Sequence, residues 1–399
     1  MAKESLEHKI NALFYEDINL IREREQKAFD ECIAPFSEIF VLFGAGKLGR
    51  RTLAGLRQLG IEPLAFTDNN SQLWGGTVDN LQVVPPAEAV QKYGQTAVFI
   101  VTIWSDTIGH PYGWIEKQLN DYGPTKVVSF GFLYWKYAEI FLPYFSLDLP
   151  HKTCDQIDQV RAASFLWADD ASRTEYLAQL KWRLQLDFTG LPSPKSETQY
   201  FPNDLFSFTP EEVFVDIGAF DGDTIRSFLD HRGSSFKKLI AVEPDPINFA
   251  KLKAYVGSLP EQFKQKITVH QVATGMNRGK VNFDASGTIQ ANVVETGNLE
   301  VDCVPLNDLL KDIRPSYIKM DIEGAEFETL RGAQRIIKEF KPILSFSVYH
   351  RFNHLWQLPL LIQSISSNYS FFLRPYGHTC WELVCYAVPT RRLVIPTSI

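Results

Sequence analysis

"VFVDIGAFDGDT" occupies Val213 to Thr224. The run Val213 to Ile217 is too apolar for a half-exposed strand, so it is expected to be a central strand of a parallel sheet. Its C-terminal end is where open α/β sheets bind ligands. Gly218 permits a tight turn and close approach of a ligand. Asp221 to Thr224 then opens a helix, with Asp221 or Asp223 suited to capping it. A phosphate-binding loop would offer bare backbone N–H groups and a lysine here. This loop offers carboxylates instead, which suits a ligand that is cationic or rich in hydroxyls and amines. S-adenosylmethionine has that character: a sulfonium, an ammonium and a ribose with two hydroxyls.

Two further strand ends extend the pattern. "LIAVEPDPINFAKLK" places Glu243 where a strand stops, a position from which a carboxylate can accept from both ribose hydroxyls. Pro244 and Pro246 end that strand, and Asp245 can cap the following helix. "SYIKMDIEGAEFETLRGA" (Ser316 to Ala333) ends in Lys319, Asp321, Glu323 and Glu326 around Gly324. Lys319 and Asp321 leave one strand face. Charges at a buried strand end are costly unless paired. An ion pair of Lys319 and acids at a helix N-terminus account for Glu326 and in part Glu323, but not for Asp321.

In these residues the chain resembles the FkbM-type S-adenosylmethionine-dependent methyltransferases. "VFVDIGAFDGDT", "AVEPDP", "VPLNDLL", "YIKMDIEGAEFETLRGA" and "PILSFSVYH" follow that family's order and spacing, over about residues 205 to 390. Asn307 stands where the family pattern usually has aspartate. The resemblance implies a seven-stranded class I methyltransferase fold with Asp216, Gly218 and Glu243 on the donor. Ala219, Phe220, Asp221, Thr224, Pro244 and Asp321 are further candidate contacts. The "HQVATG" loop would set Val272 and Ala273 beside the adenine. Members of the family methylate hydroxyls of sugars, polyketides or lipids.

Methyl transfer from a sulfonium is an in-line displacement, and an alcohol is a poor nucleophile without a base or metal nearby. Asp321, Glu323 and His350 are the candidate catalytic residues. Asp321 with His350 can act as a base pair, or bind a divalent metal together with Glu323. An equally open reading makes His350 a loop histidine without a role; His354 is taken as structural.

Nearer the N-terminus, "VLFGAGKLGRRTLAGL" carries Gly44, Gly46 and Gly49 between a strand and a helix, and Asp68 ends the next strand. This is the dinucleotide arrangement. "FTDNNSQLWGGTVDNLQVVPPAEA" resembles instead the N-terminal nucleotide-binding domain of sugar acyltransferases, which hold a nucleotide-sugar. A ligand-binding domain (nucleotide, nucleotide-sugar or NAD) and a scaffold that binds nothing stay open.

Strands alternating with helices from Glu38 onward predict two Rossmann-like doubly wound α/β units joined by a helical connector. The expected boundaries are a helix over 1–35, a nucleotide-binding unit over 36–135, a connector over 136–209 and the methyltransferase unit over 210–399. The first helix, roughly Ser5 to Glu31, presents Ile10, Leu13, Phe14, Ile18 and Ile21 to the next domain or to a partner chain in a homodimer.

The formal charge of −7, without a Lys/Arg block, argues against a nucleic-acid partner. Five widely spaced cysteines fit neither a disulfide framework nor a zinc knuckle. The N-terminus lacks the apolar core of a signal peptide, and no window is long enough to span a bilayer; a cytoplasmic protein with reduced thiols is the expectation. The functional reading is methyl transfer from S-adenosylmethionine to a hydroxyl of a sugar or related small metabolite. Its rivals are a nucleotide sensor without turnover and an NAD-dependent oxidoreductase centred on Gly44 to Asp68.

Overall fold

The computed structural model describes residues 3–104, 112–123, 125–284, 292–293, 297 and 299–394. The fold is mixed α/β, with two sheets of mostly parallel strands. The first comprises β1 (Phe40–Phe43), β2 (Ala65–Thr67), β3 (Thr77–Val78), β4 (Leu81–Val84), β5 (Val98–Val101) and β6 (Lys126–Ser129). Their order is β3-β4-β2-β1-β5-β6, and β1 lies parallel to both β2 and β5. The strands β1, β2 and β5 are fully buried, as a sheet covered by helices on both faces requires. The hairpin β3–β4 was not anticipated. Asp79 and Asn80 turn it, both at positive φ, the backbone that a two-residue hairpin demands and that these residues tolerate.

The second half contains β7 (Val213–Ile217), β8 (Lys238–Val242) and β9 (Ile267–His270). A small sheet follows, of β10 (Ala273–Thr274), β11 (Gly279–Asp284), β12 (Asn292–Val293) and β13 (Leu299–Val304). The chain then returns to the large sheet through β14 (Tyr317–Met320), β15 (Ile343–Ser347), β16 (Tyr369–Pro375) and β17 (Leu383–Pro389). The seven-stranded order is β16-β17-β15-β14-β7-β8-β9, with β16 and β17 antiparallel as their close spacing suggested. The four-stranded sheet was not foreseen: β11 is largely exposed and polar, so it carries no core periodicity. Because β7 sits beside β14 and β8, their C-terminal ends open together.

The expected single N-terminal helix is two, Lys3–Leu13 and Ile18–Ile33. Asp17 caps the second by accepting from the Asn19 N–H at 2.8 Å. The break has a packing cause. Leu6 and Ile10 belong to the core of the second sheet, with Val160, Tyr176 and Leu180, whereas Phe29 and Ile33 belong to that of the first. Helices over 130–185 link the halves. Trp182 of this connector stacks on Trp104, which follows β5, and the Trp104 indole N–H donates to the Thr379 carbonyl. All five cysteines are free thiols. No helix among the described residues is long and apolar enough to cross a membrane.

Candidate functional site

A cleft of about 320 Å³, open at its mouth, lies over the C-terminal ends of β7, β8 and β14. Its floor is the Gly218 turn. Gly218 has φ +78°, and a Cβ there would stand 1.9 Å from the Asp321 carbonyl oxygen, so glycine is required for the two strand ends to meet. Beneath it, Lys319 and Asp216 face each other in register across β14 and β7, 3.0 Å apart. The Lys319 ammonium also donates to the Gly218 carbonyl at 2.8 Å and lies over the Tyr200 ring. Burial raises Asp216 to about 6 against the pull of Lys319. At neutral pH the pair is therefore carboxylate and ammonium. Asp216 is fully buried and lines no part of the cleft. The expected donor contact at Asp216 is not part of the cleft lining; its carboxylate is paired with Lys319, which does line the cleft.

Glu243 ends β8 and faces the cleft. Its carboxylate accepts from the Phe220 N–H at 2.8 Å and the Asp245 N–H at 2.9 Å. Burial raises it to about 7, opposed by those two N–H groups. Gly218, Phe220, Thr224 and Pro244 share this wall, and Val272 and Ala273 lie on it with Thr274 and Phe283. Two candidates lie elsewhere. Ala219 packs into the apolar core with Ile225 and Phe228. Asp221 pairs with Arg226, and the helix Asp223–Arg232 has Gly222 at its N-cap with no side-chain cap. Asp245 does cap its helix, accepting from the Ile247 and Asn248 N–H groups. Asn307 does not line the cleft and accepts from the Ile336 N–H.

The opposite wall carries Asp321 and Glu323. Asp321 Oδ2 accepts from the Tyr200 hydroxyl at 2.9 Å, and Oδ1 from Ser347 at 2.8 Å. His350, its side chain fully buried, sets Nε2 3.3 Å from Asp321 Oδ1 and 3.8 Å from Glu323 Oε1. Its Nδ1 lies 2.7 Å from Glu326 Oε1. Burial alone would lower His350, but Glu326 and Glu323 raise it to about 10. Burial would likewise raise Glu326, yet the charge and hydrogen bond of His350 bring it down to about 2. These two form a buried imidazolium–carboxylate pair. Burial raises Glu323 to about 7. His354 is neutral, lowered by burial to about 4.

Residues that the sequence left unassigned complete this wall. Tyr200 and Gln199 come from the loop before β7, and Tyr349 and Glu382 from loops of the far strands. Gln199 donates to Glu382 at 2.7 Å. Glu326, read as an acid at a helix N-terminus, is the first residue of the helix Glu326–Arg331 and is also fully buried; it accepts from the Ile322 N–H and holds His350. Its spacing to Asp321 was visible, but nothing local tied it to a histidine a strand away.

In the first sheet, Gly44, Gly49 and Asp68 gather at the end of β1. A Cβ on Gly49 would stand 1.9 Å from the Gly44 carbonyl oxygen, the close helix–strand approach of dinucleotide turns. Gly46 begins the helix Lys47–Gln58 as its N-cap. Asp68 accepts from the Ala45 N–H and the Asn70 N–H, both at 2.7 Å.

With this geometry in hand, residues 216–372 match the sequence model of the Methyltransferase FkbM domain. Over the whole fold, the chain is similar to a crystal structure of Methyltransferase FkbM from Methylobacillus flagellatus KT. The identity is 24%, the TM-score 0.77, and the match covers 97% of this chain and 100% of that one. A putative rRNA-methylase from Clostridium thermocellum matches 46% of this chain and 89% of its own, at 10% identity and TM-score 0.29. An S-adenosylhomocysteine-bound methyltransferase from Podospora anserina matches 45% of this chain and 72% of its own, at 11% identity and TM-score 0.25. No curated protein matches the chain significantly.

Proposed function

We propose that the FkbM-type methyltransferase domain formed by residues 216–372 binds S-adenosylmethionine in this cleft and transfers its methyl group to a hydroxyl of a sugar or related small metabolite. The observation that supports this most is that Gly218, Glu243 and Asp321 open onto one cavity with distinct chemistry on its two sides. Glu243 already has its carboxylate positioned by two backbone N–H groups. It keeps lone pairs for the ribose hydroxyls of a nucleoside. Val272, Ala273 and Phe283 offer an apolar wall for the adenine. The cleft's carboxylates suit the sulfonium and the ammonium of the methionine part.

On the other side, Asp321 is held by Tyr200 and Ser347 and backed by His350. In the proposed reaction the acceptor hydroxyl gives its proton to Asp321, and its oxygen attacks the methyl carbon. The carbon–sulfur bond breaks with its electron pair going to sulfur, leaving S-adenosylhomocysteine. The larger contribution is orientation of the oxygen in line with the departing sulfur; proton acceptance contributes about 10²–10⁴-fold. A sugar acceptor fits a wall of Tyr200, Gln199, Tyr349 and Glu382, where hydroxyl groups find acceptors and donors.

Calorimetry with S-adenosylmethionine and a transfer assay with labelled methyl over a panel of hydroxylated sugars test this reading. Asp321→Asn is expected to keep donor binding and to lose at least ~100-fold in transfer. Full transfer by that variant would remove Asp321 from the chemistry.

A further inference from the structure

His350 and the three carboxylates around it are more than a base needs. The imidazole is fully buried, and its Nε2 has no hydrogen-bond partner among the described residues. That nitrogen points between Asp321 Oδ1, at 3.3 Å, and Glu323 Oε1, at 3.8 Å, and both carboxylates line the cleft. A metal at Nε2 would take the place of the proton that His350 otherwise carries there, and Asp321 and Glu323 supply negative charge beside it. His350 Nε2 stands 3.3 Å from Asp321 Oδ1, within the roughly 3–3.6 Å that separates donors held ~2.0–2.2 Å from one metal, and Glu323 at 3.8 Å has to close by a few tenths of an ångström. The opposite ring nitrogen is fixed by Glu326 at 2.7 Å, the carboxylate–histidine arrangement that orients a metal-bound imidazole. Glu326 is itself anchored by the Ile322 N–H.

We propose that His350 Nε2, Asp321 and Glu323 bind a divalent cation, with Glu326 as the positioning residue on His350 Nδ1. One nitrogen and two carboxylates favour a transition-series ion such as Mn²⁺ or Zn²⁺ over a cation that takes oxygen alone. Facing the cleft, such an ion keeps positions open for the acceptor oxygen and makes its O–H more acidic. Asp321 can ligate through Oδ1 and leave Oδ2, where Tyr200 donates, toward the acceptor. The inference rests on the donor site proposed above for its function, but not for its binding.

The test is equilibrium dialysis of the metal-stripped full chain against Mn²⁺, with electron paramagnetic resonance of the bound ion. One Mn²⁺ per chain is expected, with affinity falling at least ~10-fold in His350→Asn and in Glu323→Gln. Glu326→Gln, which leaves every ligand in place, is expected to lose ~10–100-fold and to alter the resonance of the bound ion. Should His350→Asn fail to fold by circular dichroism, Glu323→Gln carries the comparison. A folded wild-type chain that binds neither Mn²⁺ nor Zn²⁺, or affinity unchanged in the folded variants, overturns the site. Calorimetry with S-adenosylmethionine on the same stripped chain separates the two readings. Donor binding without metal binding overturns the cation site alone, and metal binding without donor binding supports it while overturning the donor site.

Discussion

The two glycine turns of this molecule are built alike and filled differently. In the first sheet Leu42 pairs with Ile100, and in the second Asp216 pairs with Lys319; each pair lies two residues before its turn glycine, Gly44 or Gly218. All four side chains are buried. Each glycine carbonyl is held by a side chain from the neighbouring strand segment, Thr102 Oγ1 or Lys319 Nζ, at 2.8 Å in both cases. Each adjoining acid, Asp68 or Glu243, accepts from two backbone N–H groups. The shared backbone device therefore does not set the chemistry. The neighbouring strand does: β5 is apolar and is followed by Thr102, whereas β14 carries Lys319 and is followed by Asp321, Glu323 and Glu326.

The largest expected effect comes from breaking the buried pair. Lys319→Ile alone leaves Asp216 uncompensated and should cost about 3–5 kcal/mol of stability in urea unfolding. Adding Asp216→Leu rebuilds the Leu42–Ile100 arrangement and should restore most of it. A double variant no more stable than the single one would mean that the two sheets are not equivalent at this position.

Next come the turns. Gly218→Ala must place a Cβ against the backbone oxygen of Asp321 at a positive φ, and should cost about 1–3 kcal/mol and donor affinity with it. Gly46→Ala, with nothing within 4 Å of its Cβ, should stay within about 0.5 kcal/mol. Thermal unfolding of the two variants side by side reads the difference.

A smaller effect belongs to pH. Burial raises Glu243 to about 7, so the folded chain keeps a proton that the unfolded chain releases near the ordinary glutamate value. This side chain therefore lowers stability as pH rises from about 4.5 to 7. The carboxylate is the better acceptor for hydroxyls. Affinity for S-adenosylmethionine should thus rise up to about tenfold between pH 6 and 8, and Glu243→Gln should flatten that rise in calorimetry.

Most strands of the seven-stranded sheet were legible as short apolar runs, five of them (β7, β8, β14, β16 and β17) closed by glycine, proline or acid. Glu243, Asp321 and Glu323 were legible for the same reason, as charges where a buried strand stops. The pairing of Asp216 with Lys319 was not legible, because a carboxylate at a strand end reads identically whether it meets a ligand or a lysine on the next strand. Tyr200 and Gln199 come from a Pro- and Ser-rich loop whose sequence records no contact with β14. The hairpin at Asp79 and Asn80 was missed although its turn residues mark it; β11 left no signal, since an exposed polar strand buries too little to leave a pattern.

The central claim is that the donor belongs to the second turn and not the first. Calorimetric titration of S-adenosylmethionine into the wild-type chain, Glu243→Ala and Asp68→Ala tests it directly. One site per chain is expected, with affinity falling at least ~10-fold in Glu243→Ala and unchanged in Asp68→Ala. Binding that survives Glu243→Ala but fails in Asp68→Ala would place the donor at the first turn and contradict the account.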